Sequence, residues 1–233
     1  MGKQCLPTYV RLLRISKEFT HTMVFIFKPE GEEKVCFSTL RKANRYLNET
    51  ENEKRFEYVF INDVSYSEQS MNSFFNHLAK VKRLIIINCS EIREFSIRFR
   101  ALNALCIKNC QKLVSITNPF GKENIQLLNI EECPRLIQIC IMDELKTIII
   151  KNCRRIHSES FITETENELP AMWLLKHMRI TGCVNLNKIP FDYYAEGIIQ
   201  DTLQLDPVLL DQFYDDYYYD IEEADDEMSE EDE

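Results

Sequence analysis

Leu102-x-x-Leu105-x-Ile107-x-x-Cys110-x-x-Leu113-x-x-Ile116 is a phrase that this chain repeats in a single phase. It is preceded by Val81-x-x-Leu84-x-Ile86-x-x-Cys89-x-x-Ile92-x-x-Phe95 and followed by Ile125-x-x-Leu128-x-Ile130-x-x-Cys133-x-x-Leu136-x-x-Ile139. Leu145-x-x-Ile148-x-Ile150-x-x-Cys153-x-x-Ile156 comes next, then Leu175-x-x-Met178-x-Ile180-x-x-Cys183-x-x-Leu186-x-x-Ile189. An earlier copy, Phe56-x-x-Val59-x-Ile61-x-x-Val64, has Val in the Cys slot. The Φ-x-Ile centre alternates with period two, which predicts a short strand showing one face inward. The spacing then changes to three, so the chain turns out of the strand at the Cys.

One copy cannot bury its own apolar side, whereas stacked copies cover one another. The slot positions lie 25, 21, 23, 20 and 30 residues apart, starting from Val64. The stretch 56–190 resembles leucine-rich repeat proteins of the cysteine-containing type, known from F-box proteins and some plant immune receptors. That resemblance implies an α/β solenoid of six to seven short, irregular repeats, with a parallel sheet on its concave face. Several units are too short for a return helix, so their backs are expected to be extended or 3₁₀.

Nine cysteines suggest metal or redox chemistry until they are placed. Five of them (Cys89, Cys110, Cys133, Cys153 and Cys183) share one slot, which predicts an inward column at the ~4.8 Å strand spacing. A row with one thiol per turn does not converge on a zinc ion. Reduced cysteines, with no apolar leader at the start of the sequence, give an expected location in cytoplasm or nucleus. No apolar run is long enough to cross a bilayer, so no membrane partner is expected. Leu6 stands where a myristoylation signal wants Ser or Thr.

Residues 1–55 read as a capping unit. Segments 22–27 (TMVFIF) and 34–38 (KVCFS) bracket Lys28-Pro29-Glu30-Gly31-Glu32, predicting a β-hairpin. Ser38 is the expected cap of a helix to about Asn48, with Leu40, Ala43 and Leu47 on its inner side. Arg41, Lys42 and Arg45 fall on its wetter side. Residues 67–80 (SEQSMNSFFNHLAK) carry Met71, Phe74, Phe75 and Leu78 at helical spacing, behind a Ser67 cap. Residues 157–170 (HSESFITETENELP) read as an inserted loop, either a contact element or a tolerated bulge. Residues 197–210 read as a last irregular strand, with Leu203, Leu205 and Val208 covering the open edge.

The hairpin, segment 59–78 (VFINDVSYSEQSMNSFFNHL) and RLIIINC at 83–89 are similar to the region downstream of the F-box in nematode F-box proteins. Residues 1–20 do not carry the Leu-Pro-led helical F-box. The similarity therefore implies a target-reading half without a ligase-docking half.

The solenoid, residues 56–210, gives way to an acidic tail at 211–233 that is expected to be disordered. That tail holds 13 Asp and Glu and no Lys or Arg, so residues 1–210 are left at +3 of the chain's overall −10. Threaded through it are Phe213, Tyr214, Tyr217, Tyr218 and Tyr219, anchors suited to basic proteins such as histones. Ser229 precedes Glu-Glu-Asp and is a candidate acidophilic phosphorylation site. Repeats followed by acid look like the layout of acidic leucine-rich nuclear phosphoproteins. Three readings of the tail stand: a partner site, a solubilising segment, or a cover for the concave face.

Residues alternating with the core positions face the concave side. Three columns follow: Tyr58, Arg83, Ala104, Leu127, Thr147, His177; Phe60, Ile85, Cys106, Asn129, Ile149, Arg179; and Asn62, Ile87, Lys108, Glu131, Lys151, Thr181. Phe60, Ile85, Ile87 and Leu127, flanked by Arg83, Lys108, Lys151 and Arg179, form the candidate partner-binding surface. The alternative is that the N-terminal segment or a loop folds over Phe60, Ile85 and Ile87. The four histidines are scattered and form no metal motif, and no P-loop or nucleophile elbow occurs. No enzyme and no cofactor is expected. With a body of only +3 and a repelling tail, neither is direct nucleic-acid binding. The expected function is a protein–protein adaptor or scaffold working through the concave face; the alternative is an acidic-tail nuclear chaperone for basic proteins.

Overall fold

The computed structural model describes residues 23–27, 34–49, 58–62, 74–75, 81–118, 125–141, 144–162, 174–187 and 196–200. Tail residues Phe213, Tyr214, Tyr217, Tyr218, Tyr219 and Ser229 lie outside them, as do Leu203, Leu205, Val208 and most of 67–80.

Two strands open the described chain, β1 (Met23–Phe27) and β2 (Lys34–Phe37), paired antiparallel with Val24 opposite Phe37. Helix α1 (Leu40–Glu49) follows. Its cap is Thr39 rather than Ser38: the Lys42 amide donates to Thr39 Oγ1 at 3.2 Å and the Ala43 amide to the Thr39 carbonyl. Both candidates carry a hydroxyl, and the one that accepts from the first turn belongs to the residue directly before the helix. Leu40 and Ala43 are buried, and Arg41, Lys42 and Arg45 are exposed.

The repeats form the body, a solenoid of mostly parallel strands with about four turns. Strands β3 (Tyr58–Asn62), β4 (Arg83–Ile87), β6 (Ala104–Lys108), β8 (Leu127–Glu131), β10 (Thr147–Lys151) and β12 (His177–Thr181) carry the Φ-x-Ile centres. A further strand, β13 (Glu196–Gln200), pairs with β12 along its whole length. The predicted last strand therefore starts at Glu196 and is regular. Together with β1 and β2 these strands make a nine-stranded sheet in the order β13-β12-β10-β8-β6-β4-β3-β1-β2. On the return side β5 (Glu94–Ser96), β7 (Ser115–Thr117), β9 (Gln138–Cys140) and β11 (Phe161–Ile162) form a second parallel sheet. Among the described residues the backs are thus extended, with a 3₁₀ turn at Ser158–Ser160. The segment read as a loop from His157 begins with that turn and β11, and Phe161 is buried in the core.

The core lies between the two sheets. In register across the large sheet stand Leu84, Leu105, Leu128, Ile148 and Met178, and two residues on Ile86, Ile107, Ile130, Ile150 and Ile180. All ten are buried in one cluster. Across the small sheet Phe95, Ile116, Ile139 and Phe161 stack likewise.

The joint between the sheets repeats as closely as the strands. The residue before each Cys has a left-handed backbone: Asn88 (φ 57°), Asn109 (52°), Glu132 (56°), Asn152 (55°) and Gly182 (68°). Asn and Gly adopt this region with the least steric conflict. It swings the next residue inward, and every Cys of the column is buried. Each thiol then donates to the carbonyl two residues back, from Cys153 to Lys151 and Cys133 to Glu131 at 3.4 Å out to Cys183 to Thr181 at 3.8 Å. Several of these carbonyls also accept an amide of the preceding coil, as Lys108 does from Asn88 and Lys151 from Glu132. A small, apolar, weakly donating side chain suits the slot.

Candidate functional site

The face of the large sheet turned away from the core carries all three predicted columns in register. Its exposure is uneven. Phe60, Ile85 and Ile87 are 1%, 6% and 2% exposed, so they do not form an open apolar stripe. Cys106 and Asn129, further along the central column, are buried too. Periodicity reports which way a side chain points; it does not report what packs on the face it points from. Beyond β8 the face opens: Leu127, Thr147 and Ile149 are half-buried, and His177 and Arg179 are exposed. Leu174, just before β12, is 42% exposed and is the one exposed large hydrophobic among the described residues.

The expected basic flank is rearranged by pairing. Lys108, Glu131 and Lys151 are direct neighbours in one row across β6, β8 and β10. Lys108 Nζ sits 3.0 Å from Glu131 Oε2 and Lys151 Nζ 3.6 Å from Oε1; Asn129 Nδ2 donates to Oε1 at 3.2 Å. Lys108 also lies 3.8 Å from Glu132. Burial alone would raise the Glu131 pKa, but the Lys108 hydrogen bond and charge, with Lys151 and Asn129, outweigh it and hold the carboxyl below its ordinary value. For Lys108 burial works the other way, and Glu131 and Glu132 outweigh it to raise the ammonium. Arg83 lies over the Tyr58 ring with its guanidinium carbon 4.9 Å from the centroid. Of the four predicted cations, Arg179 alone is exposed, and the other three are half-buried.

This cluster makes a measurable prediction. Glu131→Gln is expected to cost about 1–3 kcal/mol at pH 7, because two part-buried ammonium groups lose their shared acceptor. A carboxyl with a depressed folded pKa contributes stability that is present above its unfolded pKa and is lost as pH falls through the folded one. The gap between wild type and variant should therefore be full above about pH 5 and close on further acidification. Urea titrations of both proteins across that range check it.

A second ladder escaped the sequence reading. Asn88 Nδ2 donates to Asn62 Oδ1 at 2.8 Å, Asn109 Nδ2 to Asn88 Oδ1 at 2.6 Å, and Gln111 to Asn109. Asn in the position before Cys in three copies was the available signal.

Three thiols of the cysteine column are shifted away from the reactive thiolate form. The neighbouring Cys133 sulfur and burial push Cys153 far up, Cys110 and burial do the same for Cys133, and burial raises Cys183 to about 12. Such thiols stay protonated at neutral pH. Among the described residues no group of three or more His, Cys, Asp or Glu is placed to hold a metal ion. None of the described helices is long and apolar enough to cross a membrane. No family model matches the chain, and no curated protein or solved structure matches it either.

Proposed function

We propose that this chain is a leucine-rich repeat solenoid of the cysteine-containing type, acting as a non-enzymatic adaptor or scaffold that binds a protein partner. The hairpin and α1 serve as its N-terminal cap, a role supported by the antiparallel pairing of β1 with the first parallel strand. The observation carrying the binding role is the gradient of exposure on the outer face, closed over β3 and β4 and open over β10 and β12. Leu127, Ile149 and Arg179, with Leu174 beside them, combine apolar area with an exposed guanidinium, the composition of interaction hot spots. This shifts the proposed contact from Phe60, Ile85 and Ile87 towards the C-terminal strands.

The test compares full-length protein with a Leu174→Asp/Arg179→Glu variant, both used to capture partners and then titrated against the one retained. Both side chains are exposed, so the melting temperature should hold while affinity drops about tenfold or more. Equal affinity for the two forms removes the reading. The second reading, a nuclear chaperone for basic proteins, rests on the 13 carboxylates of residues 211–233. It requires that purified histones bind equally to both forms, with affinity falling steeply in salt.

A further inference from the structure

The turns that follow Cys110, Cys133, Cys153 and Cys183 are closed in the same way. The amide three residues on donates to the Cys carbonyl in Cys110–Leu113, Cys133–Leu136, Cys153–Ile156 and Cys183–Leu186, at 3.0–3.2 Å. Side chains at equivalent turn positions therefore stack along one edge of the solenoid. The second turn position holds Glu91, Lys112, Arg135, Arg155 and Asn185 in order. Lys112 Nζ reaches both oxygens of Glu91, at 2.8 and 2.9 Å, which shows that neighbours in this row touch. The next two positions, Arg135 and Arg155, are both basic. Arg135, Arg155 and the adjacent Arg154 are exposed and make no ion pair among the described residues. Among the described residues nearby carboxylates are engaged or few: Glu91 is held by Lys112, Glu132 lies against Lys108, and Glu159 is exposed. Three guanidinium groups crowded into two coils repel one another, and an anionic partner would relieve that repulsion.

The topology points to where the anion comes from. All parallel strands of the large sheet run out at this same edge, and β13 ends there, with Gln200 in register with Thr181 and, one strand further, Lys151. Two strand spacings, about 10 Å, separate Gln200 from the coil that carries Arg154 and Arg155. The 11 residues from Gln200 to Asp211 reach about 35 Å when extended. The acid-rich segment thus begins within reach of the arginine edge. Its tyrosines add a second complementarity, since guanidinium groups stack on aromatic faces, as Arg83 does on Tyr58.

We propose that residues 211–233 dock on the edge formed by Arg135, Arg154 and Arg155 of the same chain. The outer face, whose lysines already share Glu131, is not their seat. Docking there leaves the proposed partner surface of β10 and β12 open while covering the exposed arginines of this edge.

The experiment replaces Tyr214 in the full chain by photo-reactive p-benzoylphenylalanine and maps cross-links by mass spectrometry. The expected cross-links fall on residues 132–136 and 153–157. They should weaken about tenfold in Arg135→Gln/Arg154→Gln/Arg155→Gln, and equally at about 1 M salt, where the screening length is about 3 Å. Arg98→Gln/Arg100→Gln, at the opposite edge, should leave them intact. Cross-links elsewhere on the body, a yield indifferent to both the triple variant and salt, or cross-links only between isotopically distinct copies would each overturn the proposal. Should the triple variant melt early, the cross-link map and its salt dependence in the wild-type background still decide.

Discussion

Replacing Ile85 by aspartate is expected to destabilise the protein by about 3–5 kcal/mol, a large part of the 5–15 kcal/mol typical of a whole domain. Ile85 faces away from the core but is only 6% exposed, held in register between Phe60 and Cys106. The substitution removes buried aliphatic area and puts an unpaired carboxylate in its place. Burial raises the folded pKa of such a carboxyl above its unfolded value, so the loss should be greatest at neutral pH and shrink as pH falls through that raised pKa. Ile149→Asp, in the same column but half-exposed, should cost much less. Urea denaturation of the two variants at pH 7 and pH 5 gives the comparison. Equal small losses would mean that the face is open along its whole length, and the binding surface would return to Phe60 and Ile85. For the same reason a loss of partner binding in Ile85→Asp does not identify an interface.

Phe95→Ala should be of similar size, about 3–5 kcal/mol. Phe95 is 1% exposed and meets Phe75 edge-on at 5.3 Å and Phe99 stacked at 6.1 Å; Phe75 also meets Phe99 edge-on at 5.8 Å. Truncation leaves a cavity that the two remaining rigid rings, Phe75 and Phe99, cannot close, and removes two aromatic contacts as well. The next coils hold Ile116 and Ile139 at this register, so Phe95→Ile keeps a shape the stack already accepts and should lose markedly less. Guanidinium denaturation of the pair checks the order. If Phe95→Ile matches the wild type, the aromatic cluster contributes no more than its aliphatic counterparts; if it is no more stable than Phe95→Ala, the stack does not accept isoleucine at this register.

Strand phase was legible because Leu84-x-Ile86 and its copies obey a period of two, and a one-residue slip would move all of them to the wrong face. The inward cysteines were legible for the same reason. The Asn88 and Gly182 conformations were not, although the identity of the residue before each Cys hinted at them; a single residue has no period to detect. The sign alternation Lys108, Glu131, Lys151 was visible once the columns were aligned, yet net charge by column hides pairing within it. An open and a covered outer face both stood as readings, because Phe60 and Ile85 look the same in sequence whether covered or bare, and their burial favours the covered one. Strand β13 was underestimated because Glu196 to Gln200 carries none of the phrase that marks its neighbours; it is recruited by the free edge of β12 rather than by its own pattern. Thr39 and Ser38 compete as caps at the level of composition, and backbone geometry alone separates them.

The joint in which a left-handed residue, a thiol and a strand-end carbonyl meet has a bearing on how such a chain alters in size. Since Asn88-Cys89, Asn109-Cys110 and Asn152-Cys153 are the same hinge, a segment bounded by two of them can be excised or duplicated and the ends still meet in an acceptable seam. Lengthening then proceeds in whole rungs, like adding steps to a ladder, while insertions of arbitrary length are confined to the returns between the sheets. The breadth of surface the molecule presents is accordingly set by how many rungs it carries.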